Sequence, residues 1–135
     1  MMIKAARLLL IDDDRDYGQA LGTRLKQDGF EVIVAESGRR GLEAADGEPF
    51  DLILLDLLMP QQDGAAVYDE LRAHPKTKHV PVILLTGTAE QGYWAPFPHE
   101  NEEMGRLAFI LGKPLAHDVL LMRIRQLLSL PKDGL

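Results

Sequence analysis

The chain predicts an α/β fold: a doubly wound, five-stranded parallel sheet with helices on both faces. Three observations carry that reading. Five aliphatic runs, Leu8–Ile11, Val32–Ala35, Leu52–Leu55, Val80–Leu85 and Leu107–Leu111, alternate with amphipathic stretches, the pattern of a parallel sheet joined by crossover helices. Each run is apolar almost without interruption, as strands buried on both faces require. The first and third runs end in carboxylates, Asp12-Asp13-Asp14 and Asp56, at the strand ends where open α/β sheets bind ligands. Right-handed crossovers then favour the strand order 2-1-3-4-5.

The helices follow in turn. After the first run, Tyr17, Leu21 and Leu25 recur every fourth residue, Asp14 is placed to cap the segment, and Gly29 stops it. Ser37 is the expected N-cap of a second helix through Leu42 and Ala45. Asp63 is the expected cap of a third, which carries Val67 and Leu71 on one face before Pro75 ends it. The last helix follows Pro114, with Leu120, Ile124 and Leu127 as its inner stripe.

The segment Gln91–Pro98, between the fourth and fifth runs, contains Pro96, Pro98 and Gly92. Each interior proline costs a helix about 3 kcal/mol, so the fourth helix is expected to be remodelled, with a short helix over Glu100–Met104. Tyr93, Trp94 and Phe97 either pack onto the sheet edge in its place or form an exposed aromatic patch of the kind that marks interfaces.

The 135 residues fit one domain, expected over 1–130, with 131–135 as a tail or linker. There is no cysteine, which excludes disulfides and thiolate metal sites. A net charge of -6 with no long basic run argues against nucleic-acid binding by this domain. No apolar stretch approaches the roughly 20 residues a membrane helix needs, and Met1–Arg7 lacks a signal-peptide layout. A cytoplasmic location is the expectation. His74, His79, His99 and His117 have no metal-ligand spacing and read as surface residues.

Five positions fall at the carboxyl ends of the expected strands: Asp12 and Asp13, Asp56, Thr86 and Lys113. Together they make a phosphoryl-transfer set. Mg²⁺ takes oxygen ligands and usually one or two carboxylates, which Asp13 and Asp56 can supply, with Asp12 holding a metal-bound water. Asp56 can also serve as the nucleophile that accepts a phosphoryl group. The Thr86 hydroxyl and the Lys113 ammonium would neutralise charge on the phosphoryl oxygens. Taken singly, each has a plainer reading as a cap, a solvated acid or a surface lysine.

The pieces Leu-Leu-Ile-Asp-Asp-Asp at 9–14, Asp-Leu-Leu-Met-Pro-Gln-Gln-Asp-Gly at 56–64, Leu-Leu-Thr-Gly at 84–87 and Lys-Pro at 113–114 make the chain resemble the CheY-like receiver domain of two-component response regulators. The resemblance runs over nearly the whole chain and implies a flavodoxin-like fold. It also implies a phosphoacceptor at Asp56 and an acid pocket at Asp12 and Asp13. Mg²⁺ would bind Asp13, Asp56 and the backbone carbonyl of Leu58. Lys113 would contact the acyl phosphate and precede a cis peptide to Pro114, and Thr86 would turn inward on phosphorylation. The implied partners are a sensor histidine kinase or phosphotransfer protein as donor and an output domain or protein as listener, without membrane contact. Any catalysis would be limited to autophosphorylation from small acyl phosphates and slow autodephosphorylation.

Two departures stand out. The aromatic or histidine that the family commonly carries three residues before the lysine is Ile110 here, with Phe109 one place off. The stretch from Thr86 to Lys113 is longer than typical, so the face built from the fourth helix, fifth strand and fifth helix is expected to be unusual. Two residues past the acceptor, apolar Leu58 offers nothing to orient an attacking water, which predicts a long-lived phosphoryl group. The displaced aromatic and the remodelled fourth helix support a rival reading, a phosphorylation-independent pseudo-receiver that works by constitutive contact, and the complete set of acids, Thr86 and Lys113 stands against it. A haloacid-dehalogenase-type phosphohydrolase would resemble Asp-x-Asp where this chain has Asp56-Leu57-Leu58. A dinucleotide binder would need a G-x-G-x-x-G after a strand, and none is present.

Overall fold

In a computed structural model of the chain, residues 4–59, 62–86, 108–112 and 116–129 are described, with 58–59, 62–63, 86 and 108–112 by backbone alone. Five strands, β1 (Arg7–Ile11), β2 (Glu31–Ala35), β3 (Leu52–Asp56), β4 (Val82–Thr86) and β5 (Ala108–Gly112), form one sheet in the order β2-β1-β3-β4-β5. All four pairings are parallel. Both the order and the direction match the sequence expectation.

Successive side chains of a strand point to opposite faces, and here both faces are apolar. Leu9, Ile11, Ile53, Leu55, Val82 and Leu84 pack on one side with Ala45 of α2 (Gly38–Gly47) and Val67 and Leu71 of α3 (Gly64–Ala73). Leu8, Leu10, Leu52, Leu54, Ile83 and Leu85 pack on the other side. There they meet Leu25 of α1 (Arg15–Gln27) and Leu120, Ile124 and Leu127 of α4 (His117–Leu128). Each buried aliphatic side chain contributes roughly 1.5–3 kcal/mol. Two cores therefore grip one sheet, which is why the strands read as continuous apolar runs.

The expected caps are present where side chains are described. Asp14 accepts from the Tyr17 N–H at 3.0 Å, and Ser37 from the Arg40 N–H at 3.1 Å. Gly29 sits at φ 102, a left-handed conformation that glycine adopts without a Cβ penalty. Asp63 pairs by its backbone with Leu58 just before α3, as Gln62 does with Met59; this short antiparallel pair has no signal in the sequence.

Two expectations need correction. The fourth strand begins at Val82 rather than Val80. Val80 belongs to the preceding turn, donating to the Thr77 carbonyl at 3.0 Å and accepting from Arg72 Nη1 at 2.6 Å. Arg72 is buried and also reaches the Tyr68 hydroxyl at 3.1 Å and the Lys78 carbonyl at 3.2 Å. His117 is not a surface residue: its Nε2 lies 2.6 Å from Asp28 Oδ2, where the start of α4 meets the end of α1, and its side chain is 16% exposed. His74, with Nε2 3.0 Å from Asp46 Oδ1, and His79 remain accessible as expected.

At the amino-terminal edge of the sheet, Arg7 ties β1 to the turn before β3. Its guanidinium bonds Glu48 and the Pro49 carbonyl and lies 5.2 Å over the Phe50 ring. The bond to Glu48 raises the Arg7 pKa above its ordinary value. The Arg7 N–H donates to Asp51 Oδ2 and its carbonyl accepts from the Asp51 N–H, each at 2.8 Å.

The expectations for the remodelled fourth helix, Tyr93, Trp94, Phe97, His99, the short helix over 100–104, the Lys113–Pro114 peptide and the 131–135 tail lie outside the described residues. So do the side chains of Phe109 and Ile110. Among the described residues, no helix is long and apolar enough to cross a membrane.

Candidate functional site

The site begins with strand register. Ile11 of β1 stands beside Leu55 of β3, so the next residues, Asp12 and Asp56, leave neighbouring strands at the same level. Asp12 is fully buried and Asp56 is 4% exposed. Asp13 is exposed and completes the group, with carboxylate oxygens of all three within 4.8 Å of one another. Like charges this close disfavour one another, and a cation among them offsets that cost. The donor set is all carboxylate oxygen, with no nitrogen or sulfur, and this fits the hard-oxygen preference of Mg²⁺.

Short local contacts hold Asp12. The Asp12 N–H donates to the Ala35 carbonyl at 3.0 Å, fixing the end of β1 against the end of β2. Asp12 Oδ1 accepts from the Asp14 N–H at 2.9 Å, while Asp14 caps α1. One residue on, Arg15 forks onto Glu36, Nε to Oε1 and Nη2 to Oε2, both at 3.1 Å. That bond raises the Arg15 pKa above its ordinary value.

On the Asp56 side, the Leu57 N–H donates to the Leu85 carbonyl at 2.8 Å. The chain then returns through the Leu58–Met59 and Gln62–Asp63 pair to start α3 at Gly64. A Cβ on Gly64 would stand 2.6 Å from Leu57 Cα and 2.8 Å from the Asp56 carbonyl oxygen. Helix α3 thus begins in main-chain contact with Asp56 and Leu57.

Of the residues singled out by sequence, Asp12, Asp13 and Asp56 come together. Thr86 ends β4 one residue beyond Leu85, the register partner of Asp56, and pairs with Gly112; its side chain lies outside the description. Lys113 directly follows Gly112 and is itself outside the described residues. Leu58 is placed two residues past Asp56 by its backbone.

Sequence reasoning missed two features. In sequence Gly64 is only the residue after the expected Asp63 cap, whereas its packing against Asp56 and Leu57 is what excludes a side chain. The signal available was a glycine at the start of an apolar-striped helix, where a cap residue alone would suffice. Arg15 and Glu36 each adjoin a strand-end loop, but nothing in sequence says that they face each other.

A family model described as the response regulator receiver domain matches residues 8–125. The transcriptional activator protein PfeR of Pseudomonas aeruginosa is 38% identical over 125 residues, covering 91% of this chain and 40% of that protein. The chain spans 40% or less of the length of the curated relatives it matches. Among solved structures, the Vibrio cholerae chemotaxis protein CheY4 aligns with a TM-score of 0.76 at 27% identity, covering 92% of this chain and 99% of that one. The receiver domain of the sensor histidine kinase PA1611 from Pseudomonas aeruginosa aligns with a TM-score of 0.77 at 24% identity, covering 94% and 100%. That domain was solved with a magnesium ion coordinated in its active-site cleft. With the family model matched across nearly all of the sheet and its helices, the chain belongs to the response regulator receiver-domain family of two-component signalling.

Proposed function

We propose that this domain accepts a phosphoryl group on Asp56 in the presence of Mg²⁺ and, once phosphorylated, changes the surface it offers to an output partner. The observation that carries the reading is the meeting of buried Asp56 with Asp12 and Asp13, oxygens within 4.8 Å, at the carboxyl edge of the sheet. The magnesium held by the PA1611 receiver domain supports it.

An Asp56 carboxylate oxygen attacks phosphorus. One P–O bond forms to Asp56, and the bond from phosphorus to the donor atom breaks with its electron pair leaving on the donor. Asp13, Asp56 and the Leu58 carbonyl would hold the cation, with Asp12 acting through a bound water. When bound there, Mg²⁺ would supply positive charge against the phosphoryl oxygens. Lys113 and Thr86 would contribute a cation and a hydroxyl donor against the phosphoryl oxygens. The donor is a sensor histidine kinase or phosphotransfer protein in the cytoplasm, and the listener an output domain or protein. Phosphorylation biases an existing equilibrium between two surfaces.

Intact-mass spectrometry after incubation with acetyl phosphate, with and without Mg²⁺, tests this beside Asp56→Asn. The expected result is one phosphoryl mass gained only with Mg²⁺ and only in the parent chain. No gain, together with amide spectra unmoved by beryllofluoride and Mg²⁺, would make the domain a pseudo-receiver acting by constitutive contact.

A further inference from the structure

We infer that Arg15 and Glu36 are positioning residues for the acid pocket, a side-chain fork that holds the Asp12–Asp14 turn in the conformation that binds Mg²⁺. The inference rests on the magnesium reading above and extends it to two residues that touch neither metal nor phosphoryl group.

Two of the three acids sit on one turn, and that turn is restrained unevenly. Asp12 is fully buried and its N–H is bonded to the Ala35 carbonyl at 3.0 Å. Asp13 is exposed, so its placement depends on how the turn leaves the strand. The residues directly outside that backbone bond are Glu36, next after Ala35, and Arg15, which opens α1. Their two parallel bonds of 3.1 Å repeat across the same gap, in side chains, what Asp12 and Ala35 do in backbone. Bidentate geometry fixes orientation as well as distance. The turn is therefore closed at both ends, by the fork outside and by the Asp12 backbone inside, with Asp13 between.

Electrostatics and positioning make opposite predictions for one substitution, which gives the test its sign. The fork side chains are 74% and 40% exposed, so an effect of a few fold is the scale to expect. Removing the Arg15 charge leaves Glu36 as an extra negative charge beside three carboxylates, which by Coulomb attraction alone would tighten Mg²⁺ binding. Loosening the turn would weaken it.

Isothermal titration of Mg²⁺ into the unphosphorylated chain should show Arg15→Gln and Glu36→Gln each binding about fivefold more weakly. The charge-swapped double variant Arg15→Glu/Glu36→Arg should return to within about twofold of the parent. In metal-free protein, amide exchange at Asp13 and Asp14 should accelerate in the single variants and recover in the swap. Arg15→Gln binding as tightly as the parent or more tightly, or a swap that fails to recover both readouts, overturns the inference while leaving the magnesium reading standing. A parent chain that binds no Mg²⁺ takes down both, so the two failures are distinguishable.

Discussion

Replacing Gly64 with alanine tests whether α3 truly begins against the Asp56 main chain. The added Cβ would lie 2.6 Å from Leu57 Cα and 2.8 Å from the carbonyl oxygens of Asp56 and Leu57. All three atoms are main chain, so no side-chain rotation relieves the overlap. Ordinary contact begins at about 3.4 Å, so the closest approach must open by about 0.8 Å. Overpacking of this kind costs about 1–3 kcal/mol, against at most about 1 kcal/mol regained from the better helix propensity of alanine. A net loss of about 1–2 kcal/mol in urea unfolding, followed by circular dichroism at unchanged slope, is expected. The same displacement moves the Asp56 backbone. Misplacing a reacting group by about 1 Å costs on the order of 100-fold in rate, so acetyl-phosphate labelling followed by intact mass should slow by 10-fold or more. A variant as stable as the parent and labelled at the parental rate would refute the claim that the helix start and Asp56 are in hard contact.

Three further outcomes are expected. Arg72→Met strands the Val80 and Lys78 carbonyls, which now accept from Arg72 at 2.6 and 3.2 Å, and should cost about 2–4 kcal/mol in urea unfolding; a loss under 1 kcal/mol would show that the turn does not depend on it. Asp14→Ala removes the cap that accepts from the Tyr17 N–H and should cost about 1 kcal/mol, with faster amide exchange confined to the first turn of α1. Under the proposed function, Leu58→Asn, which puts a polar group two residues past Asp56 in sequence, should shorten the phosphoryl lifetime measured by mass decay; an unchanged lifetime would rule out a role for this position in setting it.

Much of this architecture was legible because the strands are buried on both faces. Leu8–Ile11 and Leu52–Leu55 announce themselves as unbroken apolar runs, and the acids that follow mark which strand ends gather. Val80 misled because a valine next to Pro81 looks like strand, while the deciding partner is Arg72, eight residues earlier and buried by carbonyls that no periodicity reveals. His117 misled in the same way. Its partner Asp28 lies 89 positions away in sequence, and a lone histidine at a helix start carries no mark of a distant carboxylate. Asp12, Asp13 and Asp56 were legible as a group because the pair Asp12-Asp13 and Asp56 each close an apolar run. The Gly64 contact and the Arg15–Glu36 fork were not, since both depend on how two loops approach rather than on what either contains.

A sheet with two apolar faces has an alignment problem. A one-residue slip of β1 against β3 would exchange the sides on which Leu8, Leu9, Leu10 and Ile11 lie, yet bury leucine and isoleucine all the same, so hydrophobicity alone tolerates the error. The polar ends do not. A slip would separate Asp12 from Asp56 at one margin and unhook Arg7 from Asp51 at the other, where paired 2.8 Å bonds now join them. The acids and the arginine act as the two stops of a ruler laid along featureless material. The charged groups at the two margins therefore also calibrate the fold, and a single-residue deletion inside β1 should produce a well-buried, folded and misaligned protein rather than an unfolded one.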